Sequence, residues 1–152
     1  MDRWSRRVIG GWADEIGGRA IYPFGGPPFH PFFSWATRSG WIHQSPVRLL
    51  VHADAGLWVS FRGALALPDR IPLPPPPPSP CLTCTAQPCR TACPADALTD
   101  AGYDVPACKA FLAAPEGQVC MKTGCGVRAA CPAGRGHGRL AAHSTYHMQQ
   151  FI

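Results

Sequence analysis

The feature that most constrains this chain is the placement of its eight cysteines. Among 152 residues, all eight lie in the 51-residue stretch from Cys81 to Cys131. They follow the pattern Cys81-x2-Cys84-x4-Cys89-x3-Cys93-Pro94, then Cys108, then Cys120-x4-Cys125-x5-Cys131-Pro132. Two cysteine runs thus each end in Cys-Pro, and one further cysteine lies between them. Thiols this closely spaced indicate metal sites or disulfide bonds.

The start of the chain indicates whether metal sites or disulfide bonds are to be expected. Residues 5–7, Ser-Arg-Arg, look like the beginning of a twin-arginine export signal, but residues 10–15, GGWADE, follow where an apolar segment belongs. We therefore expect a cytoplasmic protein, in which thiols stay reduced. The cysteine pattern then predicts metal or redox chemistry.

The two Cys-Pro endings predict how the eight thiols divide. An iron–sulfur cubane requires four converging thiolates, and in two-cluster ferredoxins the cysteine before proline ligates the cluster of the other run. Applied here, this rule produces two complete sets. The first thiol set is Cys81, Cys84, Cys89 and Cys131, and the second thiol set is Cys93, Cys108, Cys120 and Cys125. The sequence therefore predicts two [4Fe-4S] clusters as cofactors.

Zinc is an alternative for the same thiols. Two structural zinc ions would also use four cysteines each, and Cys81-x2-Cys84 is compatible with half of a zinc knuckle. Zinc ribbons contain paired Cys-x2-Cys motifs, however, whereas this chain has one, and zinc does not require the two prolines. Disulfides are a third possibility, with 105 pairings of eight cysteines, and the missing export signal argues against them.

A proline run divides the chain. Residues 72–80, PLPPPPPSP, cannot enter a helix or a central strand because proline fixes φ and lacks the backbone donor, so we expect an extended linker. It separates an α+β segment, residues 1–71, from a dicluster iron–sulfur module, residues 81–135, and a C-terminal helix, residues 136–152. With 18 prolines and 16 glycines, the expected fold class is α+β with much irregular structure.

Hydrophobic periodicity predicts the regular elements. Apolar residues at helical spacing predict an amphipathic helix over Asp2–Ile16. Two strands, Val47–His52 and Leu57–Leu67, are expected to pair as a hairpin through a turn at residues 53–56. An isolated hairpin is marginally stable, so this one would be the remnant of a larger sheet. The other expected helices are one turn at Phe32–Thr37, then Pro94–Leu98, Pro106–Ala113 and Arg139–Phe151.

Charge and hydropathy argue against two classes of partner. The net charge is +5, and its 12 arginines and 2 lysines are spread along the chain without a basic block. We therefore expect no nucleic-acid partner. No apolar stretch approaches about 18 residues, so we expect no membrane span and no membrane partner.

Three segments of the cysteine region resemble a known module. CLTCTAQPCRTACPADAL, YDVPACKAFL and CMKTGCGVRAACP are similar to the iron–sulfur module of epoxyqueuosine reductases and corrinoid-dependent reductive dehalogenases. In those families a lone cysteine lies in an Asp-x-x-x-Cys-x-x-x-Leu context, here Asp104, Cys108 and Leu112. The spacing departs from theirs before Cys89 and again in the second run. The resemblance implies a bicluster ferredoxin-like module with short helices.

The first half carries a second resemblance. Residues 45–68, SPVRLLVHADAGLWVSFRGALALP, resemble the strand pair that precedes the module in those reductases. The patterns GGPPFxPFxxWA and GLWxxxRGAL are similar to small bacterial ferredoxin-like proteins. The resemblance implies that further strands would precede Asp2 in a longer chain. In the reductases this region covers a corrinoid, but no residue here matches a corrinoid ligand, so corrinoid binding is not carried over.

Smaller signals add candidate residues. Arg90 and Lys122 neighbour predicted ligands and could raise the reduction potential of a cluster. His143 and His147 have the i, i+4 spacing of a two-histidine metal face, and the aromatic run at residues 24–35 could stack a flavin or a nucleobase. Helix-surface and core roles are the simpler interpretations of these histidines and rings. No nucleophile elbow, phosphate-binding loop or catalytic carboxylate pair is recognisable.

The sequence thus predicts an electron carrier without catalytic residues. Two oxidised clusters, each of about −2 charge with their thiolates, would take the net charge from +5 to roughly +1. The expected partner is a redox protein. The alternatives are a reductase or reductase subunit with a flavin or corrinoid at the N-terminal half, and a structural zinc protein that mediates interactions.

Overall fold

The computed structural model of the protein describes all 152 residues, Met1–Ile152. Its helices and two small antiparallel sheets confirm the expected α+β class. None of the helices combines the length and the apolar composition that a membrane span requires. In chain order the elements are α1 Asp2–Glu15, β1 Arg19–Ile21, α2 Phe32–Arg38, β2 Ile42–Gln44, β3 Leu50–His52, β4 Ala64–Ala66, α3 Val105–Ala113, α4 Gln118–Thr123, α5 Gly126–Ala130 and α6 Ala141–Gln149, with 3-10 helices at Pro88–Arg90, Pro115–Gly117 and Pro132–His137.

The chain forms two compact units. Unit 1 comprises Met1–Arg38 and Ser60–Pro76, and unit 2 comprises Ser39–Val59 and Pro77–Ile152. One division of the chain falls within the proline run, where residues 72–79 form no helix or strand. The segment 1–71 contributes to both units, because its residues 39–59 supply core side chains to the cysteine-bearing unit.

Unit 1 is a helix packed on a two-stranded sheet. Helix α1 matches the predicted amphipathic helix and packs against β1 and β4. Its buried residues recur four apart, at Ser5, Ile9 and Ala13. Strands β1 and β4 are antiparallel, with Arg19 opposite Ala66. Arg62 lies two residues before β4, and its guanidinium is hydrogen-bonded to the Asp2 carboxylate at the start of α1.

Unit 2 is built around one hydrophobic core that also holds cysteines. Strands β2 and β3 are antiparallel, with Ile42 opposite His52, and α4 packs against α6. The buried core residues are Val47, Val51, Leu57, Cys89, Leu98 and Val127. Four further cysteines pack against this core: Cys81, Cys93, Cys125 and Cys131. The core therefore fixes the segments from which the thiols project.

The predicted hairpin of Val47–His52 with Leu57–Leu67 is wrong. Strand β3 pairs with β2, and β4 pairs with β1. The expected turn does form, since His52 and Gly56 exchange backbone hydrogen bonds of 2.9 and 3.1 Å. The chain then leaves the ladder because Leu57 turns into the core, where it is 1% exposed. Core packing thus overrides the local tendency of the turn to continue as a hairpin.

The predicted helix at Pro94–Leu98 is also wrong, whereas the other helical predictions are confirmed. Residues 94 and 95 form a turn, Leu98 pairs with Tyr103 in an isolated antiparallel bridge, and Asp96 has φ 45°, which no α-helix accommodates. The predictions at Phe32–Thr37, Pro106–Ala113 and Arg139–Phe151 correspond to α2, α3 and α6, with ends that differ by at most two residues.

Candidate metal centre

The first thiol set projects from loops and from the ends of short helices. Cys81 lies in the turn that follows the proline run, and Cys84 lies in the next loop. Cys89 is the central residue of the 3-10 helix Pro88–Arg90, and Cys131 joins α5 to the 3-10 helix Pro132–His137. Gln87 has φ 38°, so the chain turns sharply between Cys84 and Cys89.

The four thiols of the first set lie close enough together for their charges to act on one another. Burial raises the pKa of the Cys89 thiol, and charges on Cys81, Cys131 and Cys84 raise it further. Burial likewise raises the pKa of Cys81, which also senses Cys131 and Cys84. All four thiols line one cavity of about 470 Å³, whose walls include the core residues Val51 and Leu57. The structure therefore brings the whole first thiol set to one cavity.

The second thiol set projects from three helices and one turn. Cys108 lies in the first half of α3, which begins where the Asp104 side chain accepts a hydrogen bond of 2.9 Å from the Ala107 N–H. Cys120 lies in α4 and Cys125 caps the N-terminus of α5. Cys93 precedes the turn that replaces the predicted helix.

The four thiols of the second set also lie close enough together for their charges to act on one another. Burial raises the pKa of the Cys120 thiol, and charges on Cys125, Cys93 and Cys108 raise it further. Burial also raises the pKa of Cys108, which senses Cys125 and Cys93. The structure thus groups these four thiols apart from the other four.

The cysteine before proline in each run lies with the thiol set of the other run. Cys93 ends the first run along the chain yet lies with the second thiol set, and Cys131 ends the second run yet lies with the first. The members of each group are those that the Cys-Pro rule assigns. That either group binds a cluster stays a prediction.

Hydrogen-bond donors reach the thiols of both sets. The Ser79 Oγ accepts a hydrogen bond of 3.3 Å from the Cys81 N–H, and hydrogen bonding by the Ser79 side chain lowers the pKa of the Cys81 thiol against the larger effect of burial. In the second thiol set the Ala97 N–H donates to the Cys93 Sγ at 3.3 Å. Hydrogen bonding by Tyr103 lowers the pKa of Cys108, and hydrogen bonding by the Gly126 backbone lowers the pKa of Cys120, in both cases against the larger effect of burial. Such donors stabilise thiolates, the form in which cysteine binds metal.

The residues present fit an iron–sulfur group. No three His, Cys, Asp or Glu side chains lie so as to hold a single ion between them. A zinc ion draws its sulfurs to about 2.3 Å, whereas in a cubane each thiolate binds a different iron, so the sulfurs stand further apart. The cavity at the first thiol set has room for a group larger than one ion. The Ser45 hydroxyl, which lines that cavity, is buried and has no hydrogen-bond partner, as expected of a donor to a bound acceptor.

Arg128 is one of the residues near the thiols that sequence reasoning missed. It lies in α5, three residues after Cys125, and its Nη1 donates to the carbonyls of Leu57 and Val59. Burial lowers the pKa of its guanidinium, and charges on Cys125 and Tyr103 raise it. The available signal was its position between the last two cysteines, but one arginine among 12 is not distinctive.

The two basic residues that the sequence singled out lie on the surface. The Arg90 guanidinium is exposed, bonds the Gln87 Oε1 at 2.6 Å and pairs with Asp100 at 3.5 Å. Lys122 is exposed at the end of α4. Solvent screens such charges, so neither is expected to act strongly on a buried group.

The histidine pair and the aromatic run form no recognisable site. His143 and His147 lie on α6, and neither belongs to a group of three metal-ligating side chains. In the aromatic run, Phe32 and Trp35 pack at 5.2 Å between ring centroids, whereas Phe29 is exposed. The aromatic run therefore consists partly of packed rings and partly of exposed ones.

Comparison of the chain with models of protein families, with curated proteins and with solved structures found no match.

Proposed function

We propose that this protein is a one-electron carrier that holds two [4Fe-4S] clusters, one on each thiol set. The observation that carries the proposal is the interleaved grouping of eight free thiols into four and four, with Cys93 and Cys131 exchanged between runs. A mononuclear site does not require this exchange, whereas it is the ligand pattern of two-cluster ferredoxins.

The protein residues would hold, shield and charge-balance the clusters. Bound clusters would supply one-electron chemistry. The core residues Val51 and Leu57 exclude water from one side of the first thiol set. The donors Ser79, Tyr103 and Gly126 offset thiolate charge. The formal charge of +5 would fall to roughly +1 with two clusters bound, so the basic residues balance cofactors and a redox protein remains the expected partner.

The test begins with the protein purified without oxygen. We expect a brown protein whose visible absorption bleaches on reduction with dithionite, and whose reduced form gives the EPR spectrum of two interacting [4Fe-4S] centres. A colourless protein that contains two zinc ions would overturn the proposal in favour of the structural zinc alternative. An organic chromophore that remains bound beside the clusters would instead favour a reductase.

The crossed ligand assignment has its own test. Cys93→Ser should alter the cluster on the second thiol set although it lies in the first run, and Cys131→Ser should alter the cluster on the first. Cys84→Ser and Cys108→Ser mark the two clusters independently, since Cys84 belongs to the first run and the first thiol set, whereas Cys108 lies between the runs and belongs to the second thiol set. Thr91→Ser, at an exposed position between Cys89 and Cys93, serves as the handling control. A Cys93→Ser spectrum that matches Cys84→Ser rather than Cys108→Ser would refute the crossing.

A further inference from the structure

Two buried side-chain atoms have no hydrogen-bond partner in the structure, the His43 Nε2 and the Ser45 Oγ. A buried polar group without a partner destabilises a fold, so each such atom calls for an explanation. Ser45 is 5% exposed, and bulk water therefore does not reach its hydroxyl. Ser45 lines the cavity that the four thiols of the first set share, whereas His43 does not. The unpartnered hydroxyl thus lies at the candidate metal centre.

The backbone fixes Ser45 at this cavity. Ser45 directly follows β2, where its N–H donates to the Leu49 carbonyl at 2.9 Å and its carbonyl accepts from the Arg48 N–H at 3.0 Å. Both bonds belong to the backbone, so they hold the residue without using its hydroxyl. His43 lies two residues earlier and opposite Val51, which also lines the cavity. Alternate residues share a face of a strand, so Ser45 continues the face that Val51 presents to the cavity.

The acceptor that Ser45 lacks is one that a bound cluster would supply. None of the four cysteine sulfurs at the cavity accepts a hydrogen bond from this hydroxyl. A zinc ion is a cation and brings no acceptor of its own. A cubane brings inorganic sulfides, and the sulfurs of iron–sulfur clusters accept hydrogen bonds. The unused donor therefore matches a cubane on the first thiol set and has no counterpart at a zinc site.

We propose that the Ser45 hydroxyl donates a hydrogen bond to the cluster on the first thiol set and thereby raises the reduction potential of that cluster. This inference rests on the proposed function. Reduction adds one electron and thus one negative charge, so a hydrogen-bond donor stabilises the reduced form more than the oxidised form. The electron comes from a one-electron donor, a redox protein or dithionite. The Ser45 O–H bond stays intact, so no proton is transferred.

The experiment is a potentiometric titration of the full chain with reconstituted clusters, followed by EPR. The reduction step that Cys84→Ser abolishes or shifts belongs to the first thiol set. Ser45→Ala should lower the ratio of reduced to oxidised cluster in that step about tenfold at a fixed potential, which is the effect of about one hydrogen bond and corresponds to about 59 mV for one electron. The other step should stay unchanged. Ser45→Thr keeps a hydroxyl and should stay closer to the wild-type potential than Ser45→Ala.

A spectroscopic measurement detects the hydrogen bond itself. The hydroxyl hydrogen exchanges with solvent deuterium, so electron–nuclear double resonance of the reduced first cluster should show an exchangeable proton in the wild-type protein. The signal should be missing in Ser45→Ala and present in Ser45→Thr.

A stability measurement separates this role from a structural one. Because the hydroxyl has no partner within the protein, the metal-free Ser45→Ala chain should unfold at no lower urea concentration than the wild-type chain. Ser5→Ala is the matched control, because Ser5 is also buried but its hydroxyl donates to the Met1 carbonyl and accepts from the Arg62 Nε–H, both at 3.3 Å. Ser5→Ala should therefore lower the urea midpoint and leave both reduction steps unchanged.

The outcomes distinguish the two proposals. If the wild-type protein binds no iron and sulfide, the proposed function fails and this inference fails with it. If both clusters bind and Ser45→Ala leaves the first-set step in place, or lowers the urea midpoint as Ser5→Ala does, the inference alone is overturned. If Ser45→Ala does not retain the first cluster, the exchangeable proton of the wild-type protein carries the test, and its absence contradicts the hydrogen bond.

Discussion

Gly56 lies where the turn after β3 meets the loop that carries Cys131. Its φ is 56°, and a Cβ there would stand 2.5 Å from the Gly134 nitrogen and 2.9 Å from the Cys131 Sγ. Gly56→Ala should therefore destabilise the fold in two ways. The left-handed backbone costs an alanine about 1 kcal/mol, and separating two packed segments costs about 2 kcal/mol more. The sum, about 3 kcal/mol, lowers the folding equilibrium constant roughly a hundredfold.

Two glycines of the neighbouring segment serve as matched controls for Gly56→Ala. Gly138 has φ 64° with open space around a Cβ, so Gly138→Ala isolates the backbone cost of about 1 kcal/mol. Gly136 has neither feature, so Gly136→Ala should change stability by less than about 0.5 kcal/mol. Urea unfolding of the metal-free chains measures all three, and iron retention reports the Cys131 loop. Equal stability of Gly56→Ala and Gly138→Ala would refute the close approach of the two segments.

Three further changes test the same unit. Val127 is fully buried, so Val127→Ala should cost about 2 kcal/mol in urea unfolding, whereas Val119→Ala at an exposed position should cost almost nothing; equal losses would contradict the core. Asp104→Ala removes the cap of α3 and should cost about 1 kcal/mol, seen as faster hydrogen exchange in that helix, and unchanged exchange would contradict the capping bond. Burial, and to a lesser extent neighbouring thiolates, raises the folded-state pKa of thiols such as Cys89. The metal-free protein should therefore be fully stabilised by these thiols below about pH 8.5, and it should lose that stability as the pH rises through their higher folded-state pKa values. A thermal unfolding temperature that increases when the pH is raised beyond about 8.5 would contradict this.

Local patterns predicted the helices well and the sheets poorly. The spacing of Ile9 and Ala13 in α1 is set within one element, so periodicity alone identifies it. Strand β4 pairs with β1, whose residues lie more than forty positions earlier, and both strands are three residues long. Such short strands carry no register signal, and the turn at His52–Gly56 favoured the nearer, wrong partner.

The expected grouping of the thiols comes from the same kind of local rule that predicted α1. Proline after Cys93 and after Cys131 redirects the chain, so spacing predicts which thiols meet. The position of the Arg128 side chain could not be predicted in this way, because it hydrogen-bonds the carbonyl of Leu57, which lies 71 residues away in sequence. Contacts between residues so far apart in sequence depend on how the core packs, so a short motif does not predict them.

The number of iron and sulfide ions bound per chain tests the central claim most directly. Measured on protein purified without oxygen, it should be about eight of each, since two cubanes on eight thiolates require four irons and four sulfides apiece. About two zinc ions per chain with no sulfide would contradict two [4Fe-4S] clusters and leave the eight thiols as a structural metal site.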